Sequence, residues 1–179
     1  MALQKNPTIF ISALRSTIIS TVALIITSPV HNTMAEDRAP SGNERNKELI
    51  QSYYEQVFNN HNLSAIDKYV DINITEHNPT LAPGVEKFKQ VYRTYFEEFP
   101  DSQTTIKHIL GEGDKVVVFS LTNATQKGEF MGNPPSNKAI QLSTADLYRM
   151  NENGNIVEHW DIVDKTDFLR TIGLIKFTQ

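Results

Sequence analysis

A histidine and a carboxylate two residues apart on one predicted strand are the first candidates for chemistry. The strand is Ile156-Val-Glu-His-Trp-Asp-Ile-Val-Asp164, which also holds the only tryptophan of the chain. Because side chains alternate between the two faces of a strand, His159 and Asp161 share one face with Val157 and Val163. An apolar pocket raises the pKa of a carboxyl group, as a general base near neutral pH requires. The pair therefore predicts proton-transfer chemistry, unless it lies on a wet sheet face or at a subunit interface.

Two more polar residues, His77 and Asp146, are candidates for the same pocket. His77 lies where a short predicted strand passes into a loop, next to an Asn-Pro turn; the alternative is that it only hydrogen-bonds this turn. Asp146 lies in the middle of a longer predicted strand. An ionised carboxylate there must be paired or face solvent, because burying it alone is costly. The alternative for Asp146 is an ion pair with Arg149 or Lys138.

The sequence predicts no metal site and no thiol chemistry. The histidines show no HxH, HxxE or HExxH spacing, and the chain has no cysteine for a disulfide, a nucleophile or a metal ligand. It contains no glycine-rich phosphate loop and no GxSxG elbow. His61 and His108 are expected at the surface.

The chain is acidic, with 179 residues and a formal net charge of −4. Residues 1–35 hold Lys5 and Arg15 and no acid, so the remainder carries −6. An acidic chain without a basic stripe argues against nucleic acid as the main partner. The length suits one domain with a sizeable core.

The N-terminus has the pattern of a secretory signal peptide. Lys5 and Arg15 precede an apolar segment, residues 17–30, and a stretch of small residues ends at Ala35. We predict cleavage after Ala35 and export to the periplasm or the exterior. The alternative is an uncleaved anchor, but this segment is short and rich in Ser and Thr for a membrane span. After cleavage, no contact with a membrane is expected.

Two helical patterns follow a polar linker, residues 36–43. The first helix is predicted from Glu44 and the second from Val85, each with a wide apolar stripe. Between them, Ser64 is predicted to cap a short helix, and a brief strand is predicted to end at Glu76.

From residue 103 the apolar period changes from 3.6 to 2, which predicts four strands with tight turns between them. The predicted strands are 103–110, 115–125, 139–150 and 155–163. A closing helix is predicted through Ile172, capped by Asp164 or Thr166. Helices followed by antiparallel strands predict an α+β domain, residues 44–175, with a tail at 176–179. Its curved, mostly antiparallel sheet would wrap around the N-terminal helices and enclose a pocket.

Four blocks in this order resemble the SnoaL-like polyketide cyclase (ester cyclase) group of the nuclear transport factor 2-like superfamily. The resemblance covers residues 46–175 and implies a cone-shaped α+β fold, closed by the N-terminal helices. It also implies a dimer or higher oligomer built across the sheet. The blocks are His77-Asn-Pro79, Phe99-Pro-Asp101, Gly128-Glu-Phe-Met-Gly-Asn-Pro-Pro-Ser136 and Ile156-Val-Glu-His-Trp-Asp161.

For activity, the resemblance implies a cofactor-free intramolecular aldol condensation of a small hydrophobic carbonyl compound. A carboxylate withdraws a proton next to a carbonyl group, and a histidine assists. The acid/base role falls on Asp161, with His77 and His159 as hydrogen-bonding partners. The candidate substrate contacts are Trp160 and Phe130, as pocket walls, together with Asp146, Tyr54 and Phe96.

Two positions depart from the family pattern. Gln126 stands where the family usually has a histidine, two residues before Gly128, which removes one potential proton carrier. Asn137 replaces a glycine, and asparagine can hold the left-handed conformation that glycine adopts. A non-catalytic module that binds a small ligand or a partner protein is therefore the alternative. Full exposure of His159 and Asp161 on the outer sheet face would exclude the enzyme as assigned.

Overall fold

The computed structural model describes residues 42–78 and 84–176. The predicted signal peptide and residues 177–179 of the predicted tail lie outside these ranges. Within them, no helix has the length and apolar character needed to cross a membrane.

The helices lie where the apolar stripes predicted them. Helix α1, Gly42–Tyr53, begins two residues before the predicted start and continues as a π-helical segment, Tyr54–Asn59. After a 3₁₀ turn at Leu63–Ala65 come the short α2, Ile66–Tyr69, and the long α3, Val85–Glu98. Helix α4, Thr166–Ile172, closes the chain and ends at Gly173, whose φ of 91° suits glycine.

The predicted helix cap at Ser64 is wrong. Its hydroxyl donates a hydrogen bond to Oδ1 of Asn62, 2.6 Å away, and Ser64 itself lies inside the 3₁₀ turn. At the last helix the predicted cap is also wrong, because Lys165 occupies the N-cap position and makes no side-chain capping hydrogen bond. Oδ1 of Asp164, one residue earlier, accepts a hydrogen bond from the backbone N–H of Thr166 at 3.1 Å.

Five strands form one mixed sheet in the order β1-β5-β4-β3-β2. Strand β1 pairs with β5 in parallel, and the other neighbours are antiparallel. The four later strands match their predicted ranges within two residues, so the α+β prediction is confirmed. The strands are β1 Val70–Glu76, β2 Gln103–Glu112, β3 Lys115–Thr125, β4 Ala139–Met150 and β5 Ile156–Asp164.

Alternation along the strands gives the sheet an inner and an outer face. Every second residue of β3, from Val116 to Ala124, is buried. The inner face packs on α1 and α3 through a core that includes Ile50, Tyr53 and Phe88. A second cluster contains Phe99, Ala124, Ile140 and Phe168.

Candidate active site

A half-open cavity of about 520 Å³ lies between the inner sheet face and α3. Most of its wall is aromatic or aliphatic, as expected for a small-molecule site. Its polar side chains include inner-face residues of β4 and β5. These are Thr144, Asp146, His159 and Asp161.

His159 is held between two carboxylates from neighbouring strands. Its Nδ1 lies 2.7 Å from Oε2 of Glu76 on β1, and its Nε2 lies 3.3 Å from Oδ1 of Asp146 on β4. The three side chains are 3%, 1% and 12% exposed for His159, Glu76 and Asp146. The ring also stacks on Tyr148, with centroids 4.9 Å apart. These contacts fix the imidazole in one orientation.

The two carboxylates keep His159 protonated at neutral pH. Burial disfavours the charged imidazolium and lowers the pKa of His159, but hydrogen bonds and charge attraction from Asp146 and Glu76 outweigh it. The net result is a pKa of about 9. The row Glu76–His159–Asp146 is therefore a buried imidazolium between two carboxylates.

Asp146 accepts two further hydrogen bonds, both at Oδ2. Thr144 donates at 2.6 Å and the Tyr54 phenol donates at 3.0 Å. The Tyr54 oxygen also lies 3.1 Å from that of Tyr148. Burial first, and then the charge of Asp146, raise the pKa of both phenols well above the usual value. The phenols are therefore neutral hydrogen-bond donors.

The alternative partners of Asp146 lie elsewhere. Arg149 points to the outer face, where it pairs with Glu158, and Lys138 donates to the carbonyl oxygen of Thr171 at 2.7 Å. Since Arg149 follows Asp146 by three residues, strand alternation puts the two on opposite faces.

Asp161 lies beside Asp146 on the inner face, because the two residues are register partners on β5 and β4. Its Oδ1 accepts a hydrogen bond of 2.6 Å from Nδ2 of Asn78. Among the described side chains, none donates to the other oxygen. Asp161 is half-buried and lines the cavity, so its Oδ2 is open to a ligand.

The expected hydrogen bonds from His77 and His159 to Asp161 do not form among these described residues. His159 and Asp161 are separated by two positions on one strand, roughly 7 Å, and Glu76 and Asp146 lie closer to His159. His77 lies on the outer side, where its Nε2 is 3.2 Å from Oε2 of Glu158. Its backbone N–H donates to the carbonyl oxygen of His159 at 2.9 Å.

Of the four aromatic residues predicted to contact the substrate, two line the cavity and two lie elsewhere. Tyr54 and Phe130 line the cavity. Trp160 lies on the outer face and stacks on His77, since it alternates with His159. Phe96 is outside the lining and stacks on His61, with ring centroids 4.2 Å apart. That contact leaves His61 half-buried, whereas His108 is exposed as expected.

Gln126 organises the loop that follows β3. Its side chain is 1% exposed, accepts from the backbone of Ser136 at 2.9 Å and donates to the carbonyl oxygen of Gly128 at 2.8 Å. Gln126, which stands where the family usually has a histidine, therefore holds the conformation of this loop through hydrogen bonds. Asn137 has a φ of 55°, so it holds the expected left-handed conformation.

The sequence prediction missed several polar residues of the site, among them Glu76, Asn78 and Thr144. Glu76 and Asn78 flank His77, and both bond to β5. Their closeness to the His-Asn-Pro block was the available signal, but it does not reveal that β1 pairs with β5. Among residues 42–78 and 84–176, no three His, Asp or Glu side chains are grouped to hold a metal ion.

Comparison with known proteins supports the same architecture. The profile of one family, the SnoaL-like polyketide cyclases, matches residues 48–172. TsrD from Streptomyces laurentii superposes with a TM-score of 0.69 over 76% of this chain and 100% of its own, at 20% identity. At that identity the likeness shows the fold alone. No curated protein sequence matches significantly.

Two further solved structures are at least one quarter identical. AclR from Streptomyces galilaeus, assigned as a hydroxylase, has a TM-score of 0.68 and 25% identity, covering 74% of this chain and 98% of its own. IdmH from Streptomyces antibioticus, assigned as a polyketide cyclase, has a TM-score of 0.62 and 27% identity, covering 72% and 98%. The expected nuclear transport factor 2-like fold is confirmed.

Proposed function

The chain belongs to the SnoaL-like polyketide cyclase family, and from that premise we propose that it acts on a small hydrophobic carbonyl compound. The chemistry is cofactor-free acid/base catalysis, an aldol-type cyclisation or an isomerisation. The observation that carries the proposal is the carboxylate pair Asp146 and Asp161, side by side on the wall of an apolar cavity and backed by the charged His159.

In this proposal Asp161 is the base. Asn78 holds one of its oxygens, which leaves the other for the proton next to a substrate carbonyl. Proton transfer makes Asp161 neutral and the substrate an enolate. The enolate carbon then attacks a second carbonyl group, and Asp161 returns the proton to the new alkoxide. In an isomerisation, the proton returns to a different carbon atom.

Asp146 is the alternative base, and two contacts support it. It is the carboxylate of the pair that His159 contacts, and it receives the Tyr54 phenol. Against this role, its oxygens already accept three hydrogen bonds. We therefore assign Asp146 to fixing Tyr54 and His159, and Asp161 to proton removal.

The test is hydrogen–deuterium exchange next to the carbonyl of small aromatic ketones such as 2-tetralone, followed by NMR in D₂O. We expect wild-type protein to accelerate exchange and Asp161→Asn to reduce that rate by at least about 100-fold. Glu112→Gln, which removes an exposed charge at the end of β2, is the matched control. Unchanged exchange in Asp161→Asn, with loss only in Asp146→Asn, would move the base role to Asp146.

A non-catalytic ligand-binding module is the second candidate. It predicts polar groups that pair with one another, and such pairs are present between Asp146 and Tyr54 and between Asp161 and Asn78. Ketone binding without exchange in the wild-type protein would favour this alternative.

Export remains part of the proposal. The predicted cleavage after Ala35 is checked by the intact mass of protein recovered from its host. A mature N-terminus at residue 36 is the expected result, and an intact N-terminus would contradict it.

A further inference from the structure

The polar end of the cavity carries more negative than positive charge. Glu76, Asp146 and Asp161 bring three carboxylates, and His159 is the one imidazolium among them. Glu98 and the exposed Lys165 also line the cavity, one charge of each sign. Neutral donors supply the remaining contacts to Asp146 and Asp161, from Thr144, Tyr54 and Asn78. Among these described residues the negative charges therefore outnumber the positive charges by two, and Asp161 has no cationic side chain hydrogen-bonded to it.

The aromatic walls of the cavity also favour a positively charged ligand. Seven phenylalanine and tyrosine side chains line it, and the faces of aromatic rings carry partial negative charge that attracts cations. The lining aromatic residues, besides Tyr54, are Phe58, Tyr92, Tyr95, Phe99, Phe130 and Phe168.

We propose that the ligand of this cavity is an aromatic compound that carries a basic amine. Its rings occupy the aromatic wall, and its ammonium group lies near the carboxylates of Asp146 and Asp161. Ligands with a carboxylate are rejected, since they would add a third uncompensated negative charge. The inference rests on the proposed use of this cavity as the substrate site, and not on catalysis there.

An ammonium group would also serve the proposed reaction. Proton removal by Asp161 transfers a negative charge to the substrate, close to the carboxylate of Asp146. A positive charge on the same substrate offsets that charge as it develops. The amine is thus a feature that both binding and enolate formation favour.

The experiment compares three probes of one shape: naphthylmethylamine, naphthylmethanol and naphthoate. Their affinities for the wild-type protein are measured by calorimetry at neutral pH and low salt. We expect the amine to bind about tenfold more tightly than the alcohol, and the carboxylate to bind most weakly. Equal or tighter binding of naphthoate overturns the proposal, and so does the absence of measurable binding by the amine.

Two variants test whether the preference for the amine arises in this cavity. Asp161→Asn should reduce the preference for the amine over the alcohol several-fold, whereas Glu112→Gln, a matched loss of one exposed charge, should not. A melting curve of each variant checks that it is folded. An equal loss of the amine preference in both variants would show a long-range charge effect. It would overturn the assignment of amine binding to this cavity. An amine preference without ketone exchange would sustain this inference while the proposed catalysis fails.

Discussion

The imidazole of His77 lies parallel to the indole of Trp160, with ring centroids 4.1 Å apart and an angle of 1° between the planes. The stack lies on the outer face of the sheet, and the adjacent Asn78 reaches Asp161 on the inner face. Residues 76–78 therefore connect both faces of β5, since Glu76 bonds to His159 and His77 to Glu158.

This position predicts a structural effect for His77→Ala. The variant loses the stack and the contact with Glu158, which should lower the free energy of unfolding by about 1 kcal/mol. Ketone exchange should fall by no more than about threefold, because Asn78 still holds Asp161. Thermal melting and the NMR exchange rate check the two effects. A loss of exchange beyond about 100-fold, without unfolding, would restore the catalytic role that the sequence suggested for His77.

Stability should fall as pH rises through the titration of His159. Its pKa in the folded protein, about 9, lies above the ordinary value of 6.5. The stabilisation is therefore complete below pH 6.5 and is lost between there and about pH 9. Its magnitude is on the order of 3 kcal/mol. Denaturant unfolding across this range measures the loss.

Two controls isolate His159 in that experiment. His108→Gln removes an exposed histidine and should leave the pH dependence intact. NMR titration of the wild-type imidazoles reads His159 directly and needs no variant. The prediction would be contradicted if the imidazole of His159 lost its proton at or below pH 6.5.

Gly128 should tolerate no side chain. A Cβ there would lie 2.6 Å from the carbonyl oxygen of Glu97 and 2.7 Å from Cα of Glu98, both backbone atoms. Gly128→Ala should therefore destabilise the protein by about 1–3 kcal/mol, measured by chemical denaturation. Gly42→Ala, where nothing lies within 4 Å, is the control. Equal stability of the two variants would show that the loop at Gly128 can shift away from α3 without a cost in free energy.

The outer face of the sheet is the predicted interface of the expected dimer. Register pairing aligns Phe119, Ala145 and Ile162 in one row across three strands. Ile162 is 76% exposed and Phe119 is 45% exposed, so the row is apolar surface that a second copy would cover. We expect a dimer by light scattering and a shift toward monomer in Ile162→Lys.

Met131→Lys is the matched control for that prediction. Met131 is 74% exposed but lies in the loop after β3, so this variant should remain dimeric. A wild-type protein that is monomeric at micromolar concentration would remove the interface from this face.

The sequence by itself determined the local structure and the faces of the strands. Alternation along β5 correctly put His159 and Asp161 on one face, because side-chain direction depends only on position along the strand. The α+β class followed from the change of apolar period, and Asn137 followed from the turn it occupies. These properties depend on neighbouring residues, which the sequence displays directly.

Only the tertiary structure decided which side chains meet. His159 bonds to Glu76, 83 positions away, because β1 pairs in parallel with β5. The same pairing sends His77 to the outer face and brings Asn78 to Asp161. Such contacts depend on strand order and register, which the packing of the whole domain sets and no local pattern encodes. The site therefore has the predicted histidine and carboxylates, joined by bonds that the chain alone did not reveal.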